Sequence, residues 1–226
     1  MKKIYIGTSG WTYKDWHDEF YPKEIKKGFL TYYATEFNSV EINSTFYRIP
    51  PDSMVRGWDE QTPRDFIFTF KLNRYITHIK KLVHVKETMD IFFKRLSLLK
   101  KKARTLLIQL PPSLAYEERR INDFIKTLKL VSKKYKDPFH FALEPRHTSW
   151  FEQDVVEKLR KQFKKEGIAL VFSQSSEYPG YEPIGENITS DFVYMRLHGP
   201  KELFASPYSV KELKLWAERI RELRKK

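Results

Sequence analysis

Short β-rich runs alternate with longer stretches whose apolar residues recur at helical spacing, and the alternation continues along the whole chain. The runs that read as strands are Lys3–Thr8, Ser39–Ser44, Phe66–Leu72, Thr105–Leu110, His140–Glu144, Ile168–Ser173 and Phe192–His198. Between them, Val85, Met89, Phe92, Leu96 and Leu99 form one helical stripe, and Ile121, Phe124, Leu128, Val131 and Tyr135 form another. Val155, Leu159 and Phe163 mark a third. The sequence Ser209-x-x-Glu212 is a capping box for a last helix, which places Val210, Leu213, Trp216, Ile220 and Leu223 on one face. Strands that alternate with helices imply parallel pairing through right-handed crossovers.

Each strand divides into two sets, because successive side chains point to opposite faces of a sheet. Phe66, Phe68, Phe70 and Leu72 oppose Ile67, Thr69 and Lys71; Val40 and Ile42 oppose Glu41 and Asn43. Ile108, Leu143 and Leu197 likewise belong to wholly apolar sets, whereas the opposite sets end in Gln109, Glu144 and His198. A sheet covered by helices on both faces would make both sets apolar. One apolar set beneath helices and one set turning polar at the strand ends fits an α/β, TIM-type (β/α) barrel with a site at its C-terminal mouth. Phe68, Phe70, Ile108, Leu143 and Leu197 are then expected to pack under helices. Glu41, Asn43, Lys71, Gln109, Glu144, Arg196 and His198 are expected to face one cavity. No linker or repeat interrupts residues 1–226, which read as a single barrel domain.

Composition narrows the function classes. The chain has no cysteine, which removes disulfides, thiolate nucleophiles and cysteine-based zinc sites, and suits a reducing compartment. No apolar run approaches the ~20 residues of a membrane span, and Met1-Lys2-Lys3 leads into a strand, not a signal peptide. The expected location is the cytoplasm. A formal charge of +13 raises the prospect of a polyanionic partner. The competing explanation is a solvated surface, since the runs Lys100–Arg104, Lys133–Lys136, Lys158–Lys165 and Arg219–Lys226 lie on or beside the helical stretches.

Familiar catalytic signatures are missing: there is no dinucleotide or phosphate loop, no zinc-protease helix and no nucleophile elbow. Gly7-Thr8-Ser9-Gly10 could offer N–H groups to an anion, or be a turn that needs glycine. The histidines are scattered without chelate spacing, so no metal and no cofactor is expected. What remains is the polar set at the strand ends. Glu144, Glu41 and His198 are the candidate acid–base groups. Asn43, Lys71, Gln109, Arg146, Arg196 and His78 are candidate ligand-binding residues, with Trp11, Tyr47 and Trp150 as aromatic walls. Glu41–Lys71 and Glu144–Arg196 could equally be ion pairs that only satisfy each other.

These residues carry a resemblance to the YecE-like family, catalogued as a domain of unknown function. The matching blocks follow one order: Ile6-Gly7-Thr8-Ser9-Gly10-Trp11; Phe37 to Tyr47; Phe66 to Lys71 and Ile76-Thr77-His78; Gln109-Leu110-Pro111; Glu144 to Trp150; Arg196-Leu197-His198-Gly199. The resemblance implies a TIM-type barrel and leaves the reaction open. It also implies an eighth strand and a final helix that would follow Arg224-Lys225-Lys226, and an aliphatic residue where Pro145 stands. Seven strands without the eighth would leave a gapped or closed seam between Lys3–Thr8 and Phe192–His198, or a homodimer covering it. Three readings stay open: an enzyme of hydrolase or isomerase type acting on a small anionic or sugar-like ligand, a nucleic-acid-binding or processing protein, and a non-catalytic ligand-binding barrel.

Overall fold

A computed structural model describes residues 3–135 and 139–225. Met1, Lys2, Lys136 and Lys226, which end several of the runs named above, lie outside the described residues. The fold is α/β and of the TIM-type barrel class, with six strands among the described residues, in chain order in one sheet. They are β1 (Ser39–Ile42), β2 (Ile67–Lys71), β3 (Ala103–Gln109), β4 (His140–Glu144), β5 (Ile168–Gln174) and β6 (Tyr194–Leu197). The helices are α1 (Phe29–Glu36), α2 (Ser44–Tyr47), α3 (Asp52–Glu60), α4 (Lys86–Leu96), α5 (Glu118–Ser132), α6 (Gln153–Glu166) and α7 (Val210–Leu223). Two compact units make up the chain: Lys3–Leu106 with Asn122–Phe139, and Leu107–Ile121 with His140 onward.

In the first unit β1 and β2 pair in parallel, with Val40 beside Phe68, Glu41 beside Thr69 and Ile42 beside Phe70. Alternation therefore places Phe66, Phe68 and Phe70 on one side as a contiguous row, with Phe66–Phe68 and Phe68–Phe70 centroids 5.1 and 6.1 Å apart. Trp58 of α3 lies against Phe68 and Phe70, 6.2 Å from each. All three phenyl rings are buried, and this apolar layer holds α3 on the sheet.

The expected first strand is not one. Residues 3–8 have no ladder; only an isolated parallel bridge joins Ser9 to Glu41. Thr8 O accepts from Glu41 N–H at 3.0 Å, and side chains take the other bonds that a ladder would use. Ile6 N–H donates to Asn38 Oδ1 at 2.8 Å, Thr8 N–H donates to the Tyr33 hydroxyl at 2.8 Å, and Asn38 Nδ2 donates to Ile4 O at 3.0 Å. The segment still lies close to β1: a Cβ on Gly7 would stand 2.0 Å from Ser39 O, so only glycine fits there. Among the described residues the expected seven strands become six, because side chains bond most of this segment's backbone and backbone pairing is confined to the Thr8–Glu41 bond beside the Ser9 bridge.

In the second unit β4–β5 and β5–β6 pair in parallel, aligning Ala142 with Ala169, Val171 with Tyr194 and Ser173 with Arg196. Leu107, Ala142, Ala169 and Val171 form a buried apolar layer on one face, with Phe192 and Tyr194 packed against it. On the other face Ile108, Leu143, Leu170 and Phe172 are buried. Helix α6 buries Val155, Leu159 and Phe163 and ends at Gly167, whose φ of 67° is a left-handed cap. The capping box of α7 forms as expected, with Ser209 and Glu212 bonded reciprocally. The burial expected of Leu197 does not: it is 38% exposed. No residue of α7 is fully buried, and Val210 is 70% exposed. The cover that α3 gives β2 is thus not repeated over this part of β6.

Tyrosines set an alkaline limit on stability. Burial, aided by neighbouring Tyr33, pushes the Tyr21 hydroxyl up to about 12. Burial and then the bond to Asp90 bring Tyr135 to about 12 as well. The native state keeps protons that an unfolded tyrosine releases near its usual value of about 10. This stability is complete below pH 10 and is lost as pH rises through about 12. Chemical denaturation at several pH values should show that decline, and Tyr21→Phe should make it shallower; an unchanged slope in Tyr21→Phe would remove Tyr21 from the account.

Candidate functional site

Glu144 is the last residue of β4 and is 3% exposed. Pro145 follows and has no N–H to extend the ladder. The Glu144 carbonyl accepts from Leu110 N–H at 2.9 Å. In a parallel pair that bond seats Gln109 beside Glu144, so the two side chains share a face. It is the face of the Leu107–Ala142–Ala169–Val171 layer, which therefore floors a polar tier containing Gln109, Glu144, Ser173 and Arg196.

The carboxylate of Glu144 lies between two guanidinium groups. Arg196 Nη1 donates to Oε2 at 2.6 Å. Arg146, two residues beyond Glu144, reaches Oε1 with Nε at 3.4 Å and Nη2 at 3.3 Å. Arg196 Nη1 also stands 3.2 Å from His198 Nε2. A guanidinium can only donate, so Nε2 is the accepting atom in this contact. His198 Nε2 is 3.9 Å from Glu144 Oε1. Arg196 and His198 are 7% and 6% exposed. The guanidinium of Arg146 lies over the Tyr178 ring, 4.4 Å from its centroid. Its bonds to Glu144 are long, and it has donors beyond the two that make them.

Two further site residues of this unit differ in character. Gln109 is 4% exposed, and its Oε1 has no hydrogen-bond partner. Buried polar atoms are normally satisfied, so this acceptor beside Glu144 is open to a donor. Trp150 is 1% exposed; its indole N–H donates to Leu114 O at 2.8 Å, and its carbonyl accepts from the Tyr181 hydroxyl at 2.9 Å. It pins the segment that follows Arg146.

The first unit gathers its own polar groups at the ends of β1 and β2. Glu41 is 7% exposed and accepts from Ser9 Oγ at 3.0 Å. Burial, then the Glu41 charge, raises the Tyr13 hydroxyl above its ordinary range. Lys71 Nζ lies 4.3 Å from the Phe46 ring centroid, and the His78 ring meets Phe46 edge-on at 4.8 Å. His78 Nδ1 is 2.8 Å from Thr77 Oγ1. Asn43 Oδ1 is buried without a partner. Tyr47 is 69% exposed, and Trp11 packs edge-on against Trp58 at 6.3 Å. Thr45 ties the two strand ends together, its hydroxyl 2.8 Å from both Ile42 O and Lys71 O.

Tyr13 and Tyr178 are the contacts that sequence reasoning passed over. Tyr178 stands in Ser175-Ser176-Glu177-Tyr178-Pro179-Gly180, directly after β5. Aromatics in loops that follow strand ends were the available signal. Among the described residues, no group of three or more His, Cys, Asp or Glu is placed to hold a metal ion. No helix among them is long and apolar enough to cross a membrane.

Residues 5–226 match the family described as "Protein of unknown function DUF72". Two curated relatives are the UPF0759 proteins YecE of Escherichia coli K12 and YunF of Bacillus subtilis. YecE is 29% identical over 82% of this chain and 64% of its own length. YunF is 29% identical over 73% of this chain and 58% of its own length. The aligned region thus spans less than two thirds of either relative. A crystal structure of a DUF72 family protein from Thermotoga maritima superposes with a TM-score of 0.78 at 31% identity, covering 98% of this chain and 87% of that one. One from Enterococcus faecalis, at 20% identity, gives 0.79 over 99% and 85% and shares the fold. The ordered blocks of sequence, the parallel α/β architecture and the match across nearly the whole chain agree, and the chain belongs to the DUF72 family.

Proposed function

We propose that the protein is an enzyme that performs proton transfer on a small anionic ligand, a hydrolase or an isomerase, at the C-terminal end of β4. The observation that carries this reading is Arg146. Its guanidinium is held between Tyr178 and Glu144 but makes only long bonds to the carboxylate. Such a planar donor, fixed in place and incompletely used, suits a phosphate or carboxylate group. Glu144 is the acid–base group, Arg196 orients it, and His198 is the second proton-bearing group beside it. Gln109 Oε1 would accept from a ligand hydroxyl, which fits a sugar-like molecule. A carboxylate, a guanidinium anchor and a histidine provide general acid–base catalysis and stabilise developing negative charge.

Titration calorimetry with inorganic phosphate tests the anion site. Binding with Kd on the order of 1 mM is expected, and Arg146→Ala should weaken it by about tenfold or more, the scale of one charge-assisted hydrogen bond. Lys133→Ala, on a solvated helix end, should leave it unchanged. Equal losses in both variants would mean diffuse attraction to a basic surface, which is also what a nucleic-acid-binding role founded on the +13 charge alone would produce. Absence of phosphate binding would reduce the Glu144 cluster to an ion-pair network.

A further inference from the structure

The loop between β6 and α7 carries an aromatic ring in an unusual position. Phe204 is 71% exposed and has a φ of 61°, a left-handed conformation that a non-glycine residue adopts at a cost. The loop is nevertheless well braced. Ser206 Oγ accepts from Lys201 N–H at 3.0 Å and Glu202 N–H at 2.9 Å, and donates to Glu202 O at 3.0 Å. The Tyr208 hydroxyl accepts from Gly199 N–H at 3.0 Å and donates to Gln174 Oε1 at 3.0 Å. Gly199 turns at a φ of 103°, where a Cβ would stand 2.5 Å from Glu202 O.

That bracing holds Phe204 beside His198 of the Glu144 cluster. Its N–H donates to His198 O at 2.6 Å, and its ring meets the His198 imidazole at 5.1 Å with an interplanar angle of 86°. The contacts then run from Phe204 to His198, Arg196, Glu144, Arg146 and Tyr178. A charged core is thus flanked by an aromatic ring at each end. Tyr178 is occupied by the Arg146 guanidinium, whereas most of the Phe204 surface faces solvent. A lone exposed apolar residue needs no explanation in general. An exposed ring held in a costly backbone conformation against the histidine of a polar cluster has a use if a ligand covers it.

We propose that Phe204 is the specificity-determining wall of this site, and that the ligand is an anion carrying a planar ring, of the chemical class of aryl phosphates. The inference rests on the anion-site reading above: the charged group sits at Arg146, and the ring lies on Phe204. Stacking on a protein aromatic ring is typically worth about tenfold in affinity, which separates ligands with a planar ring from those without one.

The experiment compares inorganic phosphate with phenyl phosphate by titration calorimetry on the wild-type chain, Phe204→Ala and Phe204→Tyr. The wild type is expected to bind phenyl phosphate about tenfold more tightly than phosphate. Phe204→Ala should lose that preference while still binding phosphate, and Phe204→Tyr, which restores a ring, should keep it. If phosphate binds and phenyl phosphate binds no better, the role of Phe204 is overturned and the anion site stands. A preference that survives in Phe204→Ala, or that is lost equally in Phe204→Tyr, overturns it too. If neither anion binds the wild type, both readings fall together.

Discussion

Replacing Glu144 with alanine is expected to lower the stability of the protein by about 3–5 kcal/mol. For a chain of this size that corresponds to a fall in melting temperature on the order of 10 °C. The reason is the company it keeps. Glu144 is 3% exposed and accepts from Arg196 at 2.6 Å and from Arg146 at 3.3 Å. Its removal leaves two guanidinium groups near one another in a poorly hydrated place. Restoring an anion should therefore restore part of the loss: formate or acetate, entering the space left by the side chain, should raise the melting temperature of Glu144→Ala more than that of the wild type. Glu144→Gln keeps the shape and one acceptor, so its stability loss should be smaller. A melting temperature within about 2 °C of wild type for Glu144→Ala would show that the pair contributes no net stability.

Trp150→Ala is expected to cost a comparable 3–5 kcal/mol, from lost packing and the cavity left behind. The side chain is 1% exposed and meets the Tyr116 ring edge-on at 5.2 Å. Trp150→Phe separates two contributions. It keeps most of the packing but leaves Leu114 O, now bonded at 2.8 Å, without its donor. The penalty for that orphaned carbonyl is about 1–3 kcal/mol. Because Trp150 anchors the segment after Arg146, the alanine variant should also weaken phosphate binding, while the phenylalanine variant should bind nearly as wild type does. Urea denaturation and calorimetry on the two variants measure both effects. Equal stability losses in the two would show that the indole N–H bond, and not the packing, dominates.

Alternation of side chains was enough to sort the strands into an apolar row and a polar-ended row. Phe68, Phe70, Ile108 and Leu143 are buried on the first, and Gln109, Glu144 and Arg196 share the second. That much was legible because a strand has a period of two whatever lies around it. The capping box at Ser209 and Glu212 was legible for the same reason: it is satisfied within four residues. Residues 3–8 were misread because their composition suits a strand, whereas pairing depends on which groups reach the backbone first. Asn38 and Tyr33, 32 and 25 residues distant from the amides of Ile6 and Thr8, reach them before a neighbouring strand does.

The site shows the same division. Residue types and strand-end positions single out Glu144, Arg146, Arg196 and His198 as candidates, and the structure brings these four into mutual contact. Residue types and positions did not reveal that Arg196 bonds both Glu144 and His198, that Tyr178 supports Arg146, or that Phe204 faces His198. Burial of Leu197 was likewise out of reach, since it depends on whether α7 lies over β6 and not on the apolar pattern of either. Local periodicity comes from bond geometry and is written in each short segment. Partner choice among distant side chains is settled by packing, where several acceptors compete for one donor and only the assembled chain decides which lies within 3 Å.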